Sequence, residues 1–86
     1  GLGFNTLYGG AGADIFVARN GAYNFIGDFE IGSDRIQLVD ATFANLSFFQ
    51  GSGASAADVF AFNGSNLLLQ VANTTVAQLN NVANFV

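Results

Sequence analysis

The residues of this sequence with the clearest chemical potential are aspartates that follow closely spaced glycines. Asp14 ends the stretch GGAGAD, and Asp34 ends the later stretch IGSD. Glycine adopts positive φ without steric cost, so such loops can bend sharply and turn backbone groups inward. The pattern leaves three interpretations open: a tight turn with a side-chain hydrogen bond, a phosphate-binding loop, or a metal-binding loop.

Composition narrows these interpretations. The 86 residues contain no Cys, no His and no Lys, with two Arg, Arg19 and Arg35, and a formal net charge of −4. Thiolate and imidazole zinc sites, nucleophile relays and a phosphate loop with its lysine are therefore excluded. Two cations cannot make a basic patch, so we expect no nucleic-acid partner. The remaining metal is a hard cation held by oxygen ligands, and we expect no enzyme activity.

A repeat places these acids at regular intervals. The frame is glycine, any residue, Asn or Asp, any residue and a large apolar residue. Its Asx positions are Asn5, Asp14, Asn24 and Asp34, and its apolar positions are Leu7, Phe16, Ile26 and Ile36. The copy that contains Asn24 fits the frame loosely, because Ala22 stands where the frame has glycine. A period of nine or ten residues is typical of a solenoid, in which each coil is a glycine turn followed by a short strand. We therefore predict about four coils.

These residues resemble a known family. GGAGADIFV matches every fixed position of the GGxGxDxUx repeat of RTX (repeats-in-toxin) calcium-binding β-rolls. GLGFNTLY matches it from its second glycine onward, with Asn5 replacing the aspartate. IGDFEIGSDRIQL resembles the segment that closes such rolls, and the remainder resembles the cap that follows. The resemblance implies an all-β fold: a short parallel β-roll solenoid over residues 1–37, followed by a β-rich C-terminal cap with a hairpin over residues 38–86.

The resemblance also implies a ligand set. In this family an ion lies between turn i and turn i+2, because successive turns lie on opposite edges of the roll. Asp14 and Asp34 would then share one edge, and Asn5 and Asn24 the other, where amide oxygens would make a weak or empty site. The metal residues expected in this way are Gly9, Gly10, Ala11, Gly12, Ala13, Asp14, Asp28, Gly32, Asp34, Asn5 and Asn24.

Three alternatives to this ligand set stay open. The glycine loop could be a plain β-turn with an Asx hydrogen bond. Asn5 and Asn24 could form an inward-facing asparagine ladder instead of binding a metal. Asp28 could be an ordinary surface carboxylate.

The sequence of the C-terminal half predicts two strands, the turn between them and a short helical turn. Strands are expected at 58–62 and 67–72, joined by a turn centred on Asn63-Gly64, because Asn-Gly favours a hairpin. Phe60 and Phe62 would share one face of the first strand. Thr75 is expected to begin a short helical turn that continues to Leu79.

The function predicted from these patterns is a non-catalytic calcium-binding structural module. It would fold and be stabilised when calcium binds, at the C-terminus of a type I secreted bacterial protein, and would be extracellular or at the cell surface. Its partners would be calcium ions and either a passenger domain or further copies of itself, with no membrane span. The alternative is a self-assembling, calcium-dependent subunit of an extracellular fibre or surface layer. Because the sequence begins with Gly1, we expect the chain to be a fragment or a processed product of a longer protein.

Overall fold

The fold is all-β, as the sequence predicts. The computed structural model describes residues 3–86, so the prediction about Gly1 lies outside the described residues. Within this range there are seven strands: β1 (Gly3–Leu7), β2 (Ile15–Arg19), β3 (Ala22–Ile26), β4 (Arg35–Val39), β5 (Leu46–Gln50), β6 (Val59–Asn63) and β7 (Asn66–Val71). One short helix, α1 (Val76–Leu79), and 3₁₀ turns at Phe43–Asn45, Gly53–Ser55 and Val82–Asn84 complete the chain.

The strands form two sheets. The larger has the order β1-β3-β7-β6-β5, and the smaller pairs β2 with β4. The β1/β3, β3/β7 and β2/β4 pairs are parallel, whereas the β7/β6 and β6/β5 pairs are antiparallel. The sheets as a whole are thus not those of a regular four-coil solenoid. The reason is that β7, from the predicted cap, continues the larger sheet beside β3 and makes it a mixed sheet.

The repeat correctly predicts which side chains face inward. Phe16, Ile26 and Ile36 are buried in the common core, and Leu7 packs against it. The core also takes Val59, Ala61, Leu68, Leu69, Val71, Leu79 and Phe85 from the C-terminal half. The two predicted segments therefore share one hydrophobic core between the two sheets.

The predicted hairpin is confirmed. Strand β6 pairs with β7 from Val59↔Val71 to Asn63↔Asn66, and the turn residues are Gly64 and Ser65. Gly64 has φ of +64°, which is what a type II′ turn requires of its first central residue. The turn is therefore one residue later than the Asn63-Gly64 centre that the sequence predicts.

The predicted helical turn is also confirmed. Helix α1 begins after Thr75, whose hydroxyl accepts a hydrogen bond from the N–H of Gln78 at 3.2 Å. This is the usual N-cap arrangement, in which a side-chain oxygen satisfies an N–H of the first helical turn. Beyond the helix, Val86 N–H donates to the Ile36 carbonyl at 2.9 Å, so the last residues lie along strand β4.

Candidate metal centre

Two glycine-containing loops lie side by side at one edge of the sheets. Residues 8–14 connect β1 to β2, and residues 27–34 connect β3 to β4. Because β1 is parallel to β3 and β2 is parallel to β4, both loops leave and re-enter the sheets at the same edge. Backbone hydrogen bonds join them at both ends: Gly27 N–H to the Leu7 carbonyl at 3.1 Å, and Arg35 N–H to the Asp14 carbonyl at 2.9 Å.

Asp28 connects the two loops through its carboxylate. Its Oδ1 accepts from Gly9 N–H at 2.9 Å, and its Oδ2 accepts from Gly10 N–H at 2.8 Å. These two backbone hydrogen bonds lower the pKa of Asp28 from its ordinary value of 3.8, because they favour the ionised form. Asp28 is therefore not a plain surface carboxylate, since it organises the start of the neighbouring glycine loop.

Asp34 is fully buried and also holds backbone N–H groups. Its Oδ1 accepts from Asp14 N–H at 2.9 Å, and its Oδ2 accepts from Glu30 N–H at 2.9 Å. One bond reaches across to the first loop, and the other closes its own loop. Both oxygens of this acid thus stabilise the backbone of the paired loops.

Asp14 differs from the other two acids. Its Oδ2 is buried and has no hydrogen-bond partner among the described residues. The carboxylate lies against Gly9, where a Cβ atom would overlap Oδ2. A buried carboxylate oxygen without a partner is costly, and a cation bound to it would offset that cost.

Further oxygen ligands are available in the same loop. Within residues 3–86, no hydrogen bond ends on the carbonyl oxygens of residues 9–13. Gly10 and Gly12 have φ of +75° and +92°, a left-handed conformation that only glycine adopts readily. An open pocket of about 540 Å³ lies beside this loop and is lined by Gly9 and Asp14, among others. The loop therefore combines one carboxylate with several free carbonyls.

These donors fit calcium, which accepts carboxylate and carbonyl oxygens, better than a metal that needs nitrogen or sulfur. No group of three or more acidic side chains converges within the described part of the chain. Asp14, Asp28 and Asp34 thus share an edge, but they are not gathered around one point. A calcium site at this edge would therefore depend on Asp14 and on backbone carbonyl oxygens. Gly32, in the adjacent loop, has a φ of +92°.

Asn5 and Asn24 lie within strands β1 and β3, not in turns. They are paired in register, and Asn5 Nδ2 donates to Asn24 Oδ1 at 3.3 Å. Asn24 is buried, and its Nδ2 donates to the Leu68 carbonyl at 3.1 Å. This is the ladder geometry that the sequence left as an alternative, and it ties β1, β3 and β7 together.

One close contact at this edge is not predicted by the sequence. The ring of Tyr8 lies directly over Gly27, where a Cβ would overlap it. Tyr8 follows β1 and Gly27 follows β3, so the contact joins the first residues of the two loops. The only sequence signal was a glycine just after the apolar position of the repeat.

Asp58 has a separate role. Its Oδ2 accepts from Gln70 Nε2 at 2.8 Å, and the Tyr23 hydroxyl donates to Gln70 Oε1. Burial, and to a smaller extent the nearby charge of Asp58, raise the pKa of Tyr23. This network lies on the larger sheet and connects β3, β7 and the residue that precedes β6.

Comparison with known proteins adds no identification. No protein-family model, curated protein or solved structure matches this chain. Among the residues that the structure describes, no helix is long and apolar enough to cross a membrane.

Proposed function

We propose that this chain is a calcium-binding structural module whose folding is stabilised by the ion. The observation that carries the proposal is Asp14, whose Oδ2 is buried and has no hydrogen-bond partner within residues 3–86. In the same loop, no hydrogen bond of the described residues ends on the carbonyl oxygens of residues 9–13. Asp14 and those carbonyls would hold the ion, and Asp28 and Asp34 would position the loop around it. Calcium would neutralise the charge of the Asp14 carboxylate and connect it to the backbone carbonyls of the loop; it would have no catalytic role.

A short parallel β-roll is the architecture we propose for strands β1 to β4. Its support is the alternation of pairing, β1 with β3 and β2 with β4, at a sequence separation of 19 or 20 residues. Alternate turns are then neighbours, which is the relationship expected of a roll. The mixed part of the larger sheet, β5 to β7, would be the cap that closes it.

The energetic effect of one ion is large enough to matter for a domain of this size. Extracellular calcium modules bind with Kd of about 10⁻⁴–10⁻³ M. At roughly tenfold excess over Kd, one site adds about 1.4 kcal/mol to the free energy of unfolding. Small domains are marginally stable, so this increment shifts the balance between folded and unfolded chains. A single carboxylate ligand places the affinity at the weak end of this range.

Coupling between calcium binding and folding suits a chain that must stay unfolded where calcium is scarce and fold where calcium is abundant. We therefore propose that the protein acts outside the cell, as the C-terminal module of a type I secreted bacterial protein. The cap and the shared core would stabilise the folded module. The calcium loop would make its folding depend on the calcium concentration, and therefore on whether the chain is inside or outside the cell.

Calorimetric titration with calcium tests the proposal, using the wild-type chain and Asp14→Asn. Asn keeps the size of the side chain and removes its charge, so we expect at least a tenfold loss of affinity. The matched control is Asp58→Asn, whose carboxylate lies in the Gln70 network and should leave calcium binding unchanged. Equal binding heats in wild type and Asp14→Asn would contradict the site assignment, and no heat from the folded wild type would contradict the function.

The fibre or surface-layer alternative has weaker support. A fibre of head-to-tail copies needs two complementary ends. Electron microscopy in calcium and then EDTA tests it, because calcium-dependent filaments should disperse when the ion is removed. A folded monomer or dimer under both conditions would exclude it.

A further inference from the structure

The two Asn-Gly dipeptides of the chain contact one another in the folded structure. Asn20-Gly21 forms the turn between β2 and β3, and Asn63-Gly64 leads from β6 into the turn before β7. The Nδ2 group of Asn63 donates a hydrogen bond to Oδ1 of Asn20 at 3.0 Å, across a separation of 43 residues. The fold therefore places a hydrogen-bond donor on the side-chain carbonyl of Asn20.

An Asn-Gly dipeptide can react with itself, because the backbone nitrogen of the glycine is close to Cγ of the asparagine. Glycine permits this attack readily, since it has no side chain to obstruct it. Gly21 is exposed and has φ of +94°. Among residues 3–86, its N–H donates no hydrogen bond, so the nitrogen is not held away from Cγ of Asn20 by another partner.

The contact with Asn63 makes Asn20 the more reactive of the two asparagines. Attack on Cγ moves negative charge onto Oδ1, and a donor already aimed at that oxygen stabilises the charge as it develops. Asn63 supplies this donor to Asn20, while no hydrogen bond within the described range ends on Oδ1 of Asn63 itself. The tertiary contact thus distinguishes two dipeptides that have the same local sequence.

We propose that Asn20 is a self-modification site, at which the folded chain converts this asparagine slowly into aspartate or isoaspartate with Asn63 as the activating donor. The inference goes beyond the proposed calcium function and does not depend on it. Asn20 follows the end of β2, whereas the glycine loop that would hold the ion precedes the start of the same strand.

The reaction needs water and hydroxide as its only co-reactants. The nitrogen of Gly21 attacks Cγ of Asn20 and loses its proton to hydroxide, and the former Nδ2 leaves as ammonia. A five-membered succinimide ring remains. Water then opens the ring at the Cγ carbonyl, which gives aspartate, or at the main-chain carbonyl, which gives isoaspartate. Overall, one water is consumed, one ammonia is released and the chain gains one negative charge.

The aspartate product preserves the contact between the two turns. A carboxylate at position 20 still accepts from Nδ2 of Asn63, and a hydrogen bond to an ionised acceptor is stronger than one to a neutral acceptor. Conversion of Asn63 would instead remove the donor and place a second acceptor against Oδ1 of Asn20. We therefore expect the aspartate product at position 20 to be as stable as the unmodified chain.

The isoaspartate product changes the turn itself. Its main chain runs through Cβ, which adds one carbon to the two-residue connection between β2 and β3. The N–H of Asn20 donates to the Val39 carbonyl at 2.9 Å, at the end of the β2/β4 pair. A longer turn disturbs this hydrogen bond, so the isoaspartate form should unfold at a lower urea concentration than the unmodified chain.

Peptide mapping by mass spectrometry tests the proposal. Trypsin cleaves after Arg19 and Arg35, so Asn20 and Asn63 fall in different peptides and their conversion is followed separately. The wild-type chain is incubated near neutral pH, folded in buffer and unfolded in urea. In the folded chain, we expect Asn20 to convert about three- to tenfold faster than Asn63, which is the range that one hydrogen bond supplies. In urea the contact is absent, and the two rates should become similar.

Asn63→Asp tests the donor directly, because it keeps the size of the side chain and removes its N–H groups. The rate at Asn20 should fall by about the same three- to tenfold factor in this variant, with circular dichroism to confirm folding. Asn66→Asp is the matched control: it lies opposite Asn63 in the same hairpin, adds the same charge and leaves the donor in place. Its Asn20 should react as in the wild type. Asn20→Asp provides the product standard for the mass and stability measurements.

Several outcomes would overturn the proposal. Equal conversion of Asn20 and Asn63 in the folded wild type, or faster conversion of Asn63, would show that the contact does not activate Asn20. A folded chain in which neither asparagine reacts, while both react in urea, would show that the fold protects them. An unchanged rate at Asn20 in folded Asn63→Asp would exclude Asn63 as the donor. If this variant does not fold, the comparison of folded and unfolded wild type still decides the matter.

Discussion

The backbone N–H of Asp14 donates to Oδ1 of Asp34 at 2.9 Å. The two acids of the repeat are therefore directly connected across the paired loops, but their carboxylates have different roles. Asp34 uses both oxygens to hold N–H groups, whereas Asp14 has a buried oxygen with no partner among the described residues. Asp34 therefore stabilises the fold without an ion, whereas Asp14 is the acid that we propose as the calcium ligand.

Asp34→Asn should destabilise the protein even when calcium is absent. An amide would direct an N–H₂ group at a backbone donor, either Asp14 N–H or Glu30 N–H, inside a fully buried position. Losing a hydrogen bond to a charged group and leaving a buried donor unsatisfied costs about 2–3 kcal/mol. Urea unfolding in EDTA measures this loss. If Asp34→Asn changes stability only in calcium, Asp34 acts as a ligand and not as a backbone cap.

Gly9→Ala should damage the proposed calcium loop by direct overlap. A Cβ at this position meets the Asp14 carboxylate, which has to move. We expect a loss of about 1–3 kcal/mol in stability, as for overpacked positions, and weaker calcium binding. The matched control is Gly10→Asn: Gly10 has φ of +75° with open space around it, and Asn tolerates that conformation. Calorimetry and urea unfolding of both variants check the prediction, which fails if the two behave alike.

Asn24→Ala should lower stability without changing calcium affinity. The change removes the donor to the Leu68 carbonyl and the acceptor for Asn5 in a buried position. We expect a loss of about 1–3 kcal/mol, equal in calcium and in EDTA. Asn45→Ala, at an exposed site, is the control and should have little effect. A selective loss of calcium binding in Asn24→Ala would restore the metal role that the family resemblance implied for this residue.

The pH dependence of stability should report on Asp28. Its pKa is lowered in the folded state by the N–H groups of Gly9 and Gly10, from an ordinary value of 3.8. The stabilisation is therefore complete above that value and is lost as pH falls through the lower, folded-state pKa. Urea midpoints of the wild type in EDTA should drop as pH decreases below about 4. Asp28→Asn should be less stable near neutral pH and show a smaller drop, and parallel curves for the two proteins would contradict this role.

Much of the local structure could be predicted from the sequence. The apolar positions of the repeat, Phe16, Ile26 and Ile36, are buried, and the helical turn begins after Thr75 as the pattern predicts. The predicted hairpin also forms, with its turn one residue later than predicted. These features depend on short-range physics: the φ range of glycine, the alternation of side chains along a strand, and the capping of a helix by a hydroxyl.

The different structural roles of the aspartates could not be predicted in the same way. Asp28 and Asp34 match the repeat or its closing segment, but they also accept hydrogen bonds from the N–H groups of Gly9, Gly10 and Asp14, which are 18 to 20 residues away. The sequence also treated Asn24 as part of a turn, whereas it lies inside β3 and bonds to Leu68 of β7. Such partners are set by strand register and by which strand inserts beside β3.

The sequence by itself determined where the chain bends and which side chains face the core, because glycine conformation and side-chain alternation act over a few neighbouring residues. Only the tertiary structure decided that β7 lies beside β3 and that Asp34 is a backbone cap. It also decided that Asp14 has an oxygen without a hydrogen-bond partner in the described part of the chain. Those outcomes depend on distant backbone groups brought together by parallel pairing, and a local pattern carries no information about which N–H will face which carboxylate.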